Sequence, residues 1–163
     1  MNRFTSHAFY WTPLCILFVV TMYMNISFDR DVDQRLKRAA DANTITIAKE
    51  ELGAAVHELE RRNVTSGYTS IFYNTPDEDL GFWYRNLKAS YDELDRIAEN
   101  TSQLERTNVL MKLRQTLLDH SNGNERVTVP CGACFYPNNG TVAGLLFLFL
   151  FIGVAGSIYT EKN

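Results

Sequence analysis

Apolar residues follow two different patterns along this 163-residue chain. Phe9–Phe28 (FYWTPLCILFVVTMYMNISF) and Val142–Tyr159 (VAGLLFLFLFIGVAGSIY) are nearly continuous apolar runs without a charge. Each matches the roughly 20 helical residues that cross a hydrocarbon core of about 30 Å. The alternation in LLFLFLFI also suits a buried strand, but the length of the run and its lack of a break predict a helix. We therefore expect membrane helices at 9–28 and 141–160, with tails at 1–8 and 161–163. Tyr10, Trp11 and Tyr159 stand where interfacial aromatic belts form. A cleaved secretory signal is the alternative for the first run, since Arg3 precedes it, but no A-x-A-like cleavage site follows Met24.

Between these runs, apolar positions recur at helical spacing among charges. Val32, Leu36, Ala39, Asn43, Ile47, Leu52, Val56 and Leu59 step by threes and fours with one slip, predicting one amphipathic helix of about 30 residues. Thr44, Thr46 and Gly53 weaken its middle. NVTSGYTSIFYN then reads as a loop with an apolar tip or short strand. Thr75-Pro76-Asp77-Glu78 predicts a capped start for a second helix, whose stripe is Leu80, Trp83, Leu87, Tyr91, Leu94 and Ile97. Ser102-x-x-Glu105 opens a third, with Leu104, Val109 or Leu110, Leu113 and Leu117, stopping at Asn122-Gly123. The expected fold is mainly α: two transmembrane helices flanking an antiparallel bundle of about three helices at 29–126. A short extended return segment, 127–140, follows.

Charge changes this picture little. The net charge is −3, and acids and bases interleave in the middle third, which gives no basic face for nucleic acid. Both termini are expected on one side of the membrane. Arg30, Arg35, Lys37 and Arg38 favour a cytoplasmic loop, whereas the sequons at Asn25, Asn63, Asn100 and Asn139 favour an exported one. The side stays open.

Candidate chemistry is sparse. Cys131-Gly-Ala-Cys134 is the one spacing with a chemical name. A thioredoxin-like site needs it at a helix N-terminus, and Pro137 opposes a helix there. Zinc needs two further ligands, and Cys15, His7, His57 and His120 are scattered, with His120 expected in the last turn of the third helix. The pair reads best as a turn at the membrane boundary, with Cys131 and Cys134 as a candidate disulfide or two free thiols. Asp77, Glu78 and Asp79 read as helix-start charges. Phe82, Trp83 and Tyr84 form an aromatic cluster, with Trp83 on the buried stripe and the three together a candidate partner surface. Gly140/Gly144 and Gly153/Ser157 place small residues one turn apart, a spacing that lets membrane helices approach closely.

No catalytic, cofactor-binding or metal residues are nominated, and no enzyme is expected. With about eight residues before the first run and three after the second, no output domain is expected outside the loop. The leading expectation is a small two-pass membrane protein acting as an interaction, scaffold or accessory subunit. Its partners would be the lipid bilayer and either copies of itself, in coiled-coil fashion, or another membrane protein. The alternatives are a holin-like permeabilising or lysis-associated protein and a membrane-tethered thiol/disulfide protein using Cys131 and Cys134. The stretches YNTPDEDLGFWYRNLKASYDELDRI, TNVLMKLRQTLLDH and VTVP…YPNN resemble uncharacterised membrane proteins of tailed phages infecting marine cyanobacteria. That resemblance implies a phage-membrane role and carries over no functional residues.

Overall fold

Six α-helices and one two-stranded hairpin account for the order of the chain in a computed structural model that describes residues 3–97, 101–121 and 124–162. The helices are α1 (Arg3–Phe28), α2 (Gln34–Ala40), α3 (Ile45–Arg61), α4 (Leu80–Arg96), α5 (Gln103–Leu117) and α6 (Asn139–Lys162). A single π-helical turn, Asp29–Asp33, joins α1 to α2. The hairpin pairs β1 (Leu118–Ser121) antiparallel with β2 (Asn124–Val127). The chain divides into two compact units, Met1–Ile26 with Cys134–Asn163, and Ser27–Ala133.

In the first unit, α1 and α6 carry the two apolar runs, and each is long and apolar enough to cross a membrane. Their most apolar windows are only 6% and 11% buried, so neither helix is wrapped by protein. Ile16, Phe18, Val19, Tyr23, Phe147 and Phe151 are all exposed.

The second unit is a helical bundle closed by the hairpin. Its core is Val32, Leu36 and Ala39 from the start of the unit, then Ala48, Leu52, Ala55 and Leu59 of α3. Leu80, Trp83, Leu87 and Leu94 of α4, and Leu113 and Leu117 of α5, complete it. Leucine and alanine dominate, so helices pack closely. At Gly53 a methyl group would come within 2.7 Å of Tyr91 Cε2, so the α3–α4 approach needs the missing side chain there.

Several expected elements shift. The single 30-residue helix is two, because the chain turns at Asp41–Asn43 and Thr44 begins α3 as an N-cap, its hydroxyl accepting from the Ile47 N–H at 3.3 Å. The break resets the helical phase. Ala48 is buried in place of Ile47, which is exposed. The start of the next helix also moves. Thr75 bonds Glu78 Oε2 at 2.6 Å, but Pro76–Glu78 close only a 3₁₀ turn, and Asp79 caps α4 by accepting from the Phe82 N–H at 2.9 Å. Ser102 caps α5 on the Glu105 N–H. Leu104, expected inside, is 72% exposed in the first turn of α5. Leu118–Ser121 is strand rather than helix, which removes His120 from a helix terminus.

Candidate functional site

Asp79 sets the geometry of a groove of about 680 Å³ in the second unit. By capping α4 it fixes the first turn, which turns Phe82 outward, 57% exposed, and Trp83 inward. The opposite wall is the extended segment from Val127 to Cys131. Two bonds hold that segment: the Thr128 N–H donates to Leu117 O at 2.9 Å, and Thr128 O accepts the Trp83 indole N–H at 2.6 Å. The rim is acidic, with Asp77, Glu78, Asp79 and Asp119 against Arg126. An aromatic floor with a mostly acidic rim fits a partner that is apolar at its centre and basic at its edge.

The aromatic cluster is divided in role. Trp83 is core and Phe82 is groove. Tyr84 ties α4 to α3, its hydroxyl donating to Glu60 Oε1 at 2.6 Å. Loss of solvent and the Glu60 carboxylate push the Tyr84 phenol up to about 12.

Neither Cys131 nor Cys134 is in a disulfide; the first is exposed and the second half-buried. Pro130–Ala133 is a tight turn closed by Ala133 N–H to Pro130 O at 3.1 Å. Gly132 holds φ 79°, the left-handed conformation that this turn demands at its third position. A 3₁₀ turn at Ala133–Phe135 follows, and α6 begins only at Asn139, so no α-helix N-terminus faces either thiol. No cluster of three or more His, Cys, Asp or Glu side chains suited to a metal occurs among the described residues. His57 is exposed on α3.

In the first unit, Ser157 Oγ accepts from the Trp11 indole N–H at 3.1 Å. Gly153 lies under the Trp11 ring, whose atoms would be 3.1 Å from a Cβ there. Gly156, which the sequence reading did not single out, lies against the Tyr10 ring. Gly140 and Gly144 face open space. Gly153, Gly156 and Ser157 thus receive aromatic rings rather than another backbone.

A charged cluster, also missed from sequence, stands where the chain enters the second unit. Arg62 donates to Ser27 Oγ at 2.9 Å and Asp31 Oδ2 at 3.0 Å, and its guanidinium lies 5.8 Å from the Phe28 ring centre. Glu58 accepts from both Arg61 and Arg62, Arg61 above all, and is held down at about 2. The hydrogen bond from Arg30 is the main cause holding Asp31 down at about 2.

Asp33, close by, behaves oppositely. Burial, reinforced by the nearby Asp29 carboxylate, pushes its carboxyl up from 3.8 to about 6, and its Oδ1 is buried without a hydrogen-bond partner. The folded unit therefore binds a proton there that the unfolded chain releases. Between about pH 4 and 6 this group stabilises the unit as pH falls, and the contribution disappears as pH rises through 6. Allowing for solvent screening at a half-buried site, the effect is about 1–2 kcal/mol. Asp33→Asn should flatten that part of a urea-midpoint-versus-pH profile of the detergent-solubilised chain and raise the midpoint at neutral pH. Asp31 and Glu58 contribute with the opposite sign, and in a lower window from about 4.5 down to 2.

Comparison with protein families, with curated proteins and with solved structures finds no match for this chain.

Proposed function

We propose that this chain is a two-pass integral membrane protein whose helical loop unit acts as an interaction scaffold or accessory subunit. The supporting observation is the exposure of α1 and α6: two long helices whose apolar windows are 6% and 11% buried have aromatic and aliphatic faces of the kind that lipid or other membrane helices cover. A soluble core helix has the opposite burial. The interaction role rests on the groove, where exposed Phe82 sits beside a buried tryptophan under an acidic rim. Shape, aromatic content and charge there match the centre-and-rim organisation of protein interfaces.

One experiment addresses both parts. A photo-crosslinking amino acid is placed at Phe82 and, as a control, at exposed His57, and membranes are washed with alkaline carbonate after irradiation. The expected result is retention of the chain in the membrane pellet and a discrete protein adduct from position 82 but not 57. Release by carbonate refutes the membrane assignment. Retention without an adduct at 82 refutes the scaffold role.

A further inference from the structure

The loop between α3 and α4 is neither core nor groove. From Asn63 to Pro76 it has no charged residue, and its tip is Ile71-Phe72-Tyr73. These side chains are 50%, 91% and 76% exposed, and Tyr68 at the base is 41% exposed. The loop is nevertheless built, not slack. The Thr69 N–H donates to Glu78 O at 3.1 Å, the Leu80 N–H to Gly67 O at 3.0 Å, and Ser70 bonds Asn74 at 3.1 Å across the tip. Val64 and Thr69 are buried beneath it. A fixed scaffold thus holds three large apolar side chains in solvent, against the normal pull of burial.

The position of the loop within its unit indicates what covers them. At its start, Arg62 is bonded to Ser27 and Asp31 and stacked over Phe28, the residues through which the chain enters the unit from the first apolar run. At its end, the first turn of α4 is bonded through Trp83 to Thr128, in the segment through which the chain leaves toward the second. Both ends of the loop are therefore tied to the residues through which the chain enters and leaves the unit. The turn Asp41–Asn43, at the far end of α3 from Arg62, lies about 25 Å away by helix length.

We propose that Ile71, Phe72 and Tyr73 insert into the headgroup–acyl boundary of the same bilayer that α1 and α6 cross, giving the loop unit a third membrane contact. The inference rests on the two-pass reading above. Aromatic rings with hydroxyls and amides around them, and no charge, suit the interface, where rings sit at headgroup depth and polar tips remain wet. Insertion at a third point fixes the tilt of the bundle over the membrane and so the direction in which the groove faces.

The test uses the full chain with Cys15, Cys131 and Cys134 changed to serine and one new thiol, at Phe72→Cys, Thr46→Cys or Phe151→Cys. Each thiol carries an environment-sensitive fluorophore in phosphatidylcholine nanodiscs. Phe72 is almost wholly exposed, so folding is not at stake there. The expected result is a blue-shifted emission at 72 that doxyl-labelled lipid quenches and iodide does not, with the reverse at 46. Iodide quenching at 72 alongside lipid quenching at 151 overturns the inference and leaves the two-pass reading intact. Protection at 72 from both quenchers overturns it in favour of a protein partner on the tip. Absence of lipid quenching at 151 overturns both readings.

Discussion

Trp83→Ala is expected to destabilise the loop unit by about 3–5 kcal/mol, the usual cost of deleting a buried tryptophan. Few other single changes in this chain combine as many losses. The indole is 7% exposed in the middle of the α4 stripe, so its removal leaves a cavity between α4, the hairpin and the return segment. It also removes the donor that holds Thr128 O at 2.6 Å. That bond is one of two positioning Thr128, the other being its own N–H to Leu117 O. A unit of this size has about 5–15 kcal/mol of total stability, so the loss approaches the margin for folding. Trp83→Phe separates the two contributions: it keeps most of the packing and loses only the hydrogen bond, for about 1–2 kcal/mol. The measurement is urea unfolding of the detergent-solubilised chain followed by circular dichroism. An alanine variant that melts with the phenylalanine variant would show that the packing term is absent, contrary to the burial seen here.

The Trp83 stripe is also where sequence reasoning worked best. Leu80, Trp83, Leu87 and Leu94 repeat at helical spacing, and all four are buried in one helix. The two uncharged runs were legible for a similar reason, since length and composition alone fix a lipid-compatible helix. Failures gathered where a local signal competed with periodicity. Thr44 sits mid-pattern with a side chain able to cap, and the cap won, splitting one long helix into α2 and α3. At Thr75-Pro76-Asp77-Glu78-Asp79 two capping residues lie four apart, and the carboxylate nearer the apolar stripe begins the helix. The hairpin was invisible because Leu118–Ser121 carries no alternation. The Arg62–Ser27–Asp31 cluster joins residues more than thirty positions apart, which no spacing rule reaches. Cys131–Cys134 was legible as a turn because Pro137 opposes a helix there and no further ligands stand at metal spacing; the left-handed Gly132, at φ 79°, is the structure's addition.

The second large effect comes from Glu51, whose side chain is 7% exposed on the face of α3 that meets α2. Its carboxylate bonds Arg35 Nη1 at 3.3 Å and Arg38 Nη2 at 2.5 Å, both on α2. The partners are unequal in burial: Arg35 is 42% and Arg38 69% exposed, so each arginine keeps much of its hydration while the carboxylate has given up nearly all of its own. Removing the arginines therefore strands a buried charge, whereas removing the carboxylate strands nothing. Arg35→Ala with Arg38→Ala is expected to cost about 3 kcal/mol, near the lower end of values for broken buried pairs because solvent reaches the arginine side. Adding Glu51→Leu to that double variant should restore most of the loss, since an apolar side chain at this buried position leaves no charge to neutralise. Urea midpoints of the single, double and triple variants read the cycle directly. Failure of the triple variant to recover would mean that the arginine stems, lying along α2, stabilise the bundle by packing and not by neutralising Glu51. Recovery assigns the arginines to neutralising the buried carboxylate and shows that the α2–α3 pairing does without all three charges once that carboxylate is gone.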